Sequence, residues 1–246
     1  MPKGVSTTHD AMEHSVGEMF DRIAPTYDLL NHLLSLGRDF SWRRQAAWAL
    51  PKREGLKVVD LATGTGDLLM ALLRGGSHVA EAVGLDVSEE MLKIALHKTT
   101  ECGFADRVRL MRADVMHSAL EADSFDAVTM GFGIRNTPDI EVTLREILRL
   151  LKPGGTAVVL EFSLPRSALL RGGYLAYLRL VVPTLGALLS GSRSAYRYLN
   201  TSIEAFYRPD EFCALMRETG FSNVSATPLT WGIAFIYAGS KDQDSV

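Results

Sequence analysis

The sequence predicts a doubly wound α/β fold with a mostly parallel sheet, and three observations predict it. Val58-Val59-Asp60-Leu61-Ala62-Thr63-Gly64-Thr65-Gly66-Asp67 is an apolar run that ends in an acid, then a glycine-flanked turn that opens an amphipathic pattern. From residue 57 to 162 short apolar runs alternate with helical patterns, as a parallel sheet with crossover helices requires. The chain has 246 residues, 47% of them hydrophobic and 22% charged, enough for one large domain with a sizeable core.

The elements follow in order. Residues 1–14 read as a loose tail. From Ser15 to Leu50 the pattern is helical, with Phe20, Ile23, Tyr27 and Leu30 at spacings of three and four. Pro25 is expected to break or begin a helix there, and a second helix covers Phe40 to Leu50. These helices precede the first strand, so they are an addition that could close over a ligand at the strand ends. Lys57–Leu61 is the first strand and Asp67–Arg74 the first crossover helix. Ala82–Leu85 is the second strand, ending at Asp86, and Ser88 caps the next helix, with Glu89 and Glu90 in its first turn. Val108–Arg112 and Phe125–Met130 are the third and fourth strands. Pro138–Leu151 is an amphipathic helix that Lys152-Pro153-Gly154-Gly155 stops, and Thr156–Phe162 is the fifth strand. An apolar helical insertion at 166–206 follows, including a helix over Tyr196–Phe206. Pro209–Thr219 is a helix with Gly220 as its C-cap, and Asn223–Thr230 and Ile233–Ala238 are closing strands. The division is one domain over 15–240: N-terminal helices at 15–50, a core at 57–162, the insertion at 166–206 and a closing unit at 209–239.

Composition excludes several classes of function. A net charge of −3 gives no electrostatic case for nucleic acid. Cys102 and Cys213 cannot form a disulfide framework, and the polar N-terminus lacks the apolar core of a secretory signal, so a cytoplasmic protein is expected. The apolar stretch 168–190 is interrupted by Arg171, Gly172, Gly173, Arg179 and Pro183, which argues against a spanning helix. Buried helix, a tunnel wall, or a face resting on the inner surface of the membrane all remain open for it. None of His9, His14, His32, His78, His97 and His117 has metal-ligand spacing with a supporting carboxylate or cysteine, so no metal is expected; His32 and His117 are open as bases.

The glycine turn with Gly64 and Gly66 is either plain loop geometry or a ligand cradle. A dinucleotide fingerprint needs a third glycine where Leu69 stands, and Asp67 in the first helical turn opposes a pyrophosphate. Asp60 and Asp67 suit a ligand with positive charge, and S-adenosylmethionine carries an ammonium and a sulfonium. Asp86 is placed to accept ribose hydroxyls, or is a helix cap. Asp114 is placed for an adenine contact, or is a turn acid.

Four stretches go beyond this generic pattern: Phe20-Asp21-Arg22-Ile23-Ala24-Pro25-Thr26-Tyr27-Asp28-Leu29-Leu30-Asn31; Asp60 to Asp67; Phe132-Gly133-Ile134-Arg135-Asn136, leading to Leu151-Lys152-Pro153-Gly154-Gly155 and Leu160-Glu161-Phe162-Ser163; and Tyr196-Arg197-Tyr198-Leu199-Asn200-Thr201-Ser202-Ile203. With them the chain, from about residue 17 to 239, resembles the ubiquinone/menaquinone biosynthesis C-methyltransferases, the UbiE/MenG family. The resemblance implies a seven-stranded, Rossmann-like class I methyltransferase sheet, S-adenosylmethionine as donor and a prenylated quinol carbon as acceptor. Demethylmenaquinol is the first choice and the ubiquinone precursor the alternative. Another phenolic acceptor, a non-catalytic subunit of a quinone-synthesis assembly, and a homodimer stay open.

By matching position the resemblance implies cofactor contacts at Thr65, Asp86, Asp114 and Val115, and a backbone contact only at Gly131. Leu164, Phe206-Tyr207 and Thr137-Pro138 depart from the family pattern. Arg135 is cast as the cation that steadies a developing phenolate, and Asn136 as orienting the ring or a water. The plainer alternative for Arg135 is a loop arginine paired with a nearby acid. Tyr27 and Asn31, four apart, share a helix face and are candidate substrate residues, with Tyr27 able to cover the donor and packing and capping the plainer alternative; Tyr196 and Tyr198 are candidate pocket residues for the substrate.

Overall fold

The computed structural model describes residues 6–75, 79–184 and 193–243, with side chains described in all of these except 6–16 and 193–196. Seven strands form one sheet: β1 Leu56–Leu61, β2 Val79–Asp86, β3 Val108–Arg112, β4 Phe125–Gly131, β5 Leu151–Phe162, β6 Ser222–Leu229 and β7 Ala234–Ser240. Their order is β3-β2-β1-β4-β5-β7-β6. The first five are parallel to one another, and β7 runs antiparallel to both β5 and β6. β1 and β4 are buried along nearly their whole length, as strands covered on both faces are. Strand order reverses between β1 and β4, so a crevice opens at their carboxyl ends.

The helices are α1 Ser6–Leu34, α2 Arg38–Trp48, α3 Asp67–Arg74, α4 Glu89–Glu101, α5 Ile140–Leu150, α6 Ala168–Ala176, α7 Arg193–Ala205 and α8 Pro209–Thr219. Leu144 and Ile147 of α5 and Phe212 and Met216 of α8 fill one side of the sheet. Trp42 and Ala46 of α2 and Leu69 and Leu72 of α3 fill the other. A third apolar cluster lies apart from these. Ile23, Ala24 and Leu30 of α1 meet Met91 of α4, Leu178 and Val182 beyond α6, and Ile203 of α7.

Four features differ from the sequence expectation. α1 begins at Ser6, inside the stretch read as a loose tail, and runs through Pro25 without a break. An internal proline costs a helix roughly 3 kcal/mol, and burial of Ile23 and Ala24 before it and Leu30 after it holds the two halves together. β2 starts at Val79, where it pairs with Leu56. The segment Lys152–Gly155 is a bulge within β5: Leu151 pairs with Phe125 and Thr156 with Ala127, so four residues stand opposite Asp126. Asp126 fastens the bulge by accepting from Lys152 Nζ at 2.9 Å and the Lys57 N–H at 2.8 Å. The chain after α6 continues as a wide π turn, Tyr177–Val181, in line with the helical insertion expected there. No described helix is long and apolar enough to cross a membrane.

Candidate active site

The loop after β1 is wound by three left-handed residues, Ala62, Gly64 and Gly66. At Gly66, φ is +83° and an added Cβ would stand 3.1 Å from Ala95 Cβ, so the turn packs against α4 only with glycine. The Gly64 N–H donates to Asp86 Oδ2 at 2.7 Å, while Asp86 Oδ1 accepts from the Ser88 N–H at 2.9 Å. With the Val87 N–H as a third backbone donor, the Asp86 carboxylate keeps lone-pair capacity for a further hydroxyl. Burial raises the Asp86 carboxyl above the ordinary aspartate range. Asp60 lies deeper. Its oxygens accept from Thr63 Oγ1 at 2.7 Å and Thr129 Oγ1 at 2.6 Å. Burial pushes its pKa up to about 6 despite both bonds. Asp60, Thr65 and Gly66 line neither cavity described below: they build the loop and do not face the space.

Two cavities meet at the carboxyl ends of the strands. The smaller, about 80 Å³, is lined by Gly64, Asp86, Asp114, Val115 and Gly131, with Val87, Met91 and Pro138. Among the described residues, no basic side chain lines it. The larger, about 640 Å³, is lined by Asn31, Trp42, Arg135, Phe162, Tyr174, Leu178 and Tyr198, among mainly apolar neighbours. Phe20, Tyr27, Phe132 and Asn136 line both. The chemistry of the smaller space fits a nucleoside that carries positive charge: two carboxylates, a glycine with open space above it and no cation to attract a polyphosphate. Its size is below the roughly 300 Å³ at which small-molecule sites begin, and Phe20 and Tyr27 of α1 form its cover.

Arg135 stands on a single helical turn after β4. Its Nη1 donates to Glu161 Oε1 and to the Phe132 carbonyl, each at 2.6 Å, and its Nε reaches Ser202 Oγ at 3.3 Å. Its guanidinium lies 5.3 Å from the Phe162 ring centre. The pair is sealed in, with side chains 6% and 0% exposed for Arg135 and Glu161. Arg135 is thus paired with an acid, the plainer alternative, and also lines the larger cavity. None of these bonds uses Nη2. Glu161 is raised by burial and lowered by Arg135, with burial the stronger. Asn136 donates to the Phe132 carbonyl at 3.4 Å, while its Oδ1 is buried with no hydrogen-bond partner among the described residues. A buried acceptor at a cavity wall calls for a donor. Tyr27 and Asn31 share a face of α1, and their side chains are hydrogen-bonded. The side chain of Tyr196 lies outside the described residues.

The cover is tied down by charge. Asp21 Oδ1 of α1 accepts from Ser88 Oγ at 2.5 Å. Asp28 accepts from Thr65 Oγ1 at 2.5 Å and pairs with Lys98 Nζ at 2.6 Å. Lys98 also holds Asp67 at 2.6 Å, and Arg43 Nη2 stands 3.6 Å from the other oxygen of Asp67. His32, Asp39 and Asp67 gather within 4.8 Å of one another, a grouping that spacing did not reveal. Arg43 and Lys98 already supply positive charge to it.

Sequence reasoning passed over Phe20, Phe132, Phe162, Tyr174 and Glu161. Phe20, Phe132, Glu161 and Phe162 stood in stretches singled out for resemblance but received no role. Phe132 holds a left-handed φ of +57°, which no local pattern announces.

The model of the ubiE/COQ5 methyltransferase family matches residues 8–241. A demethylmenaquinone methyltransferase of Thermus thermophilus is 44% identical over 223 residues, covering 91% of this chain and 100% of that protein. The ubiquinone/menaquinone biosynthesis C-methyltransferase UbiE of Geobacter sulfurreducens is 43% identical over 226 residues, covering 92% and 88%. Among solved structures, the [4+2]-cyclase SpnF superposes with a TM-score of 0.69 at 18% identity, covering 92% of this chain and 96% of that one. An S-adenosylmethionine-dependent methyltransferase of Thermotoga maritima gives 0.63 at 21%, covering 94% and 100%. At those identities the structures speak for the fold alone.

Proposed function

The chain belongs to the ubiE/COQ5 methyltransferase family, and from that premise we propose that it methylates a ring carbon of a prenylated quinol, with demethylmenaquinol the first candidate. The observation that carries this reading is the shared wall: a small acidic cavity and a large apolar one meet at Phe20, Tyr27, Phe132 and Asn136. The names of the Thermus, Bacteroides and Lactiplantibacillus relatives, all demethylmenaquinone methyltransferases, favour a menaquinone precursor over the ubiquinone one.

When bound, S-adenosylmethionine supplies a methyl already activated on a sulfonium. Asp86 would hold its ribose hydroxyls, Asp114 and Val115 its base, and the loop at Gly64 its amino-acid end. The remaining work falls to the larger cavity. A ring carbon becomes nucleophilic as the neighbouring hydroxyl gives its proton to a base or water. Arg135, through Nη2, stabilises the oxyanion that forms, in a space from which apolar walls exclude water. Glu161 fixes the guanidinium from behind and is a positioning residue. Asn136 Oδ1 accepts a hydrogen bond from the hydroxyl or a water and so orients the ring. As the new carbon–carbon bond forms, the methyl's bond to sulfur would break and leave a neutral thioether; the ring then gives the hydrogen on that carbon, as a proton, to the base or water and is aromatic again, and its oxygen takes a proton back.

Incubation with donor labelled in the methyl and a short-tail demethylmenaquinol tests this. Label is expected on the ring carbon of the quinol. Label on a hydroxyl oxygen, or binding of NAD in preference to S-adenosylmethionine in a titration, would sink the proposal.

A further inference from the structure

Four large apolar side chains at the mouth of the larger cavity face solvent. Leu36 is 81% exposed, Leu169 85% and Trp231 77%, with Leu170 beside them, and all four line the cavity. They come from three separate places: the link between α1 and α2, the start of α6, and the β6–β7 hairpin tip. Folding normally hides such groups, so a ring of them around an opening asks for a partner.

The backbone repeats the point. Leu36 and Trp231 both hold left-handed φ angles, +52° and +58°. Thr230 before Trp231 is also left-handed, at +43°, and Trp42 Nε1 pins this tip by donating to Thr230 Oγ1 at 2.8 Å. Left-handed backbone is unfavourable for side chains of this size and persists where the surroundings enforce it. At both places the result is a large apolar group held outward.

Charge completes the pattern. Of the charged groups lining the cavity, Asp39 is paired with Arg43 and Arg135 with Glu161. Arg38, at the mouth, and Arg171, next to Leu170, are exposed and take part in no ion pair among the described residues. An apolar ring with unneutralised arginines is complementary to an anionic lipid surface. Tryptophan is a residue type that settles at that depth.

We propose that Leu36, Leu169, Leu170 and Trp231 form an interfacial rim that seats the cavity mouth on an anionic leaflet, so that a prenyl tail passes between bilayer and cavity without crossing water. The proposal rests on the reading of the larger cavity as a prenylated quinol site, and it adds to the insertion two elements outside it. The rim would dip into the headgroup region and does not span.

Flotation of the full chain tests it, using phosphatidylcholine vesicles with about one third phosphatidylglycerol. The wild type is expected to float. Leu36→Ser combined with Leu169→Ser and Trp231→Ser is expected to lower binding roughly a hundredfold, while Trp231→Tyr stays within about threefold. Arg38→Glu with Arg171→Glu is expected to lower it roughly tenfold or more on these vesicles, and far less on phosphatidylcholine alone. Binding of S-adenosylmethionine by the triple variant checks that it is folded. Wild-type protein that stays in the soluble fraction overturns the proposal. So does a triple variant that floats like the wild type, or a rim whose removal only dissolves a dimer. Flotation that succeeds while no quinol is methylated upholds the rim and removes the substrate reading, so the two fail separately.

Discussion

Arg135 and Glu161 have to be judged as one unit. Arg135→Ala alone leaves a buried carboxylate without its partner, which costs about 3–5 kcal/mol, so lost activity in that variant would not identify a chemical role. Arg135→Met with Glu161→Gln removes both charges and keeps an acceptor. Its urea midpoint is expected near that of the wild type, while methyl transfer falls roughly a hundredfold, the usual loss for one oxyanion donor. Asp60 offers a second test. Its carboxyl titrates at about 6 in the folded chain against 3.8 when free. Between those values the native state binds more protons, so stability falls as pH rises from about 4 to about 6 and is then flat. Asp60→Asn is expected to abolish that slope in urea titrations, so that its stability relative to the wild type improves as pH rises from about 4 to about 6. A loss of stability there would mean that the ionised carboxylate is needed by its two threonines. Asp86 and Gly64 were legible because strand, turn and cap lie within one continuous stretch. The Arg135–Glu161 pair was not, because twenty-six residues and a whole helix separate its members.

Helix α1 shows what sequence periodicity can and cannot carry. Phe20, Ile23, Tyr27 and Leu30 were readable as one face, but not what that face covers. The contacts that decide it join residues 67 and 37 positions apart, Asp21 with Ser88 and Asp28 with Thr65. Pro25 misled for a related reason: a local rule was overridden by burial on both sides of it. Lys98 is the member through which α1, α3 and α4 are joined, since it pairs with both Asp28 and Asp67. Lys98→Met leaves two acids facing each other across the loop. Stability is expected to drop by about 1–3 kcal/mol, and amide exchange to quicken in residues 20–34 before it changes in the strands. Uniform acceleration across the sheet would show that α1 is no separate unit.

At the scale of the whole molecule the mostly parallel sheet and its crossover helices were legible, since alternation of strands and helices restricts topology strongly, whereas the order of the strands was not. The division into two cavities was not, because it depends on α1, Phe132 and the insertion meeting above the sheet. A protein whose donor site lies beneath a cover should be stabilised strongly by its ligand. S-adenosylmethionine at a hundredfold its dissociation constant is expected to add about 2.7 kcal/mol, which for a chain of this size raises the melting temperature by roughly 5–10 °C. NAD at equal concentration should leave it unmoved. The reverse order would argue for a dinucleotide in the acidic cavity.

Phe20 and Tyr27 stand in the walls of both cavities and on a single helix. On the proposed function, any movement of that helix changes both chambers at once. A rate set by α1 movement, not by methyl transfer, is the expected outcome. The rate should fall with solvent viscosity, and bonds that loosen the latch without touching either wall, such as Asp21 to Ser88, should set its ceiling.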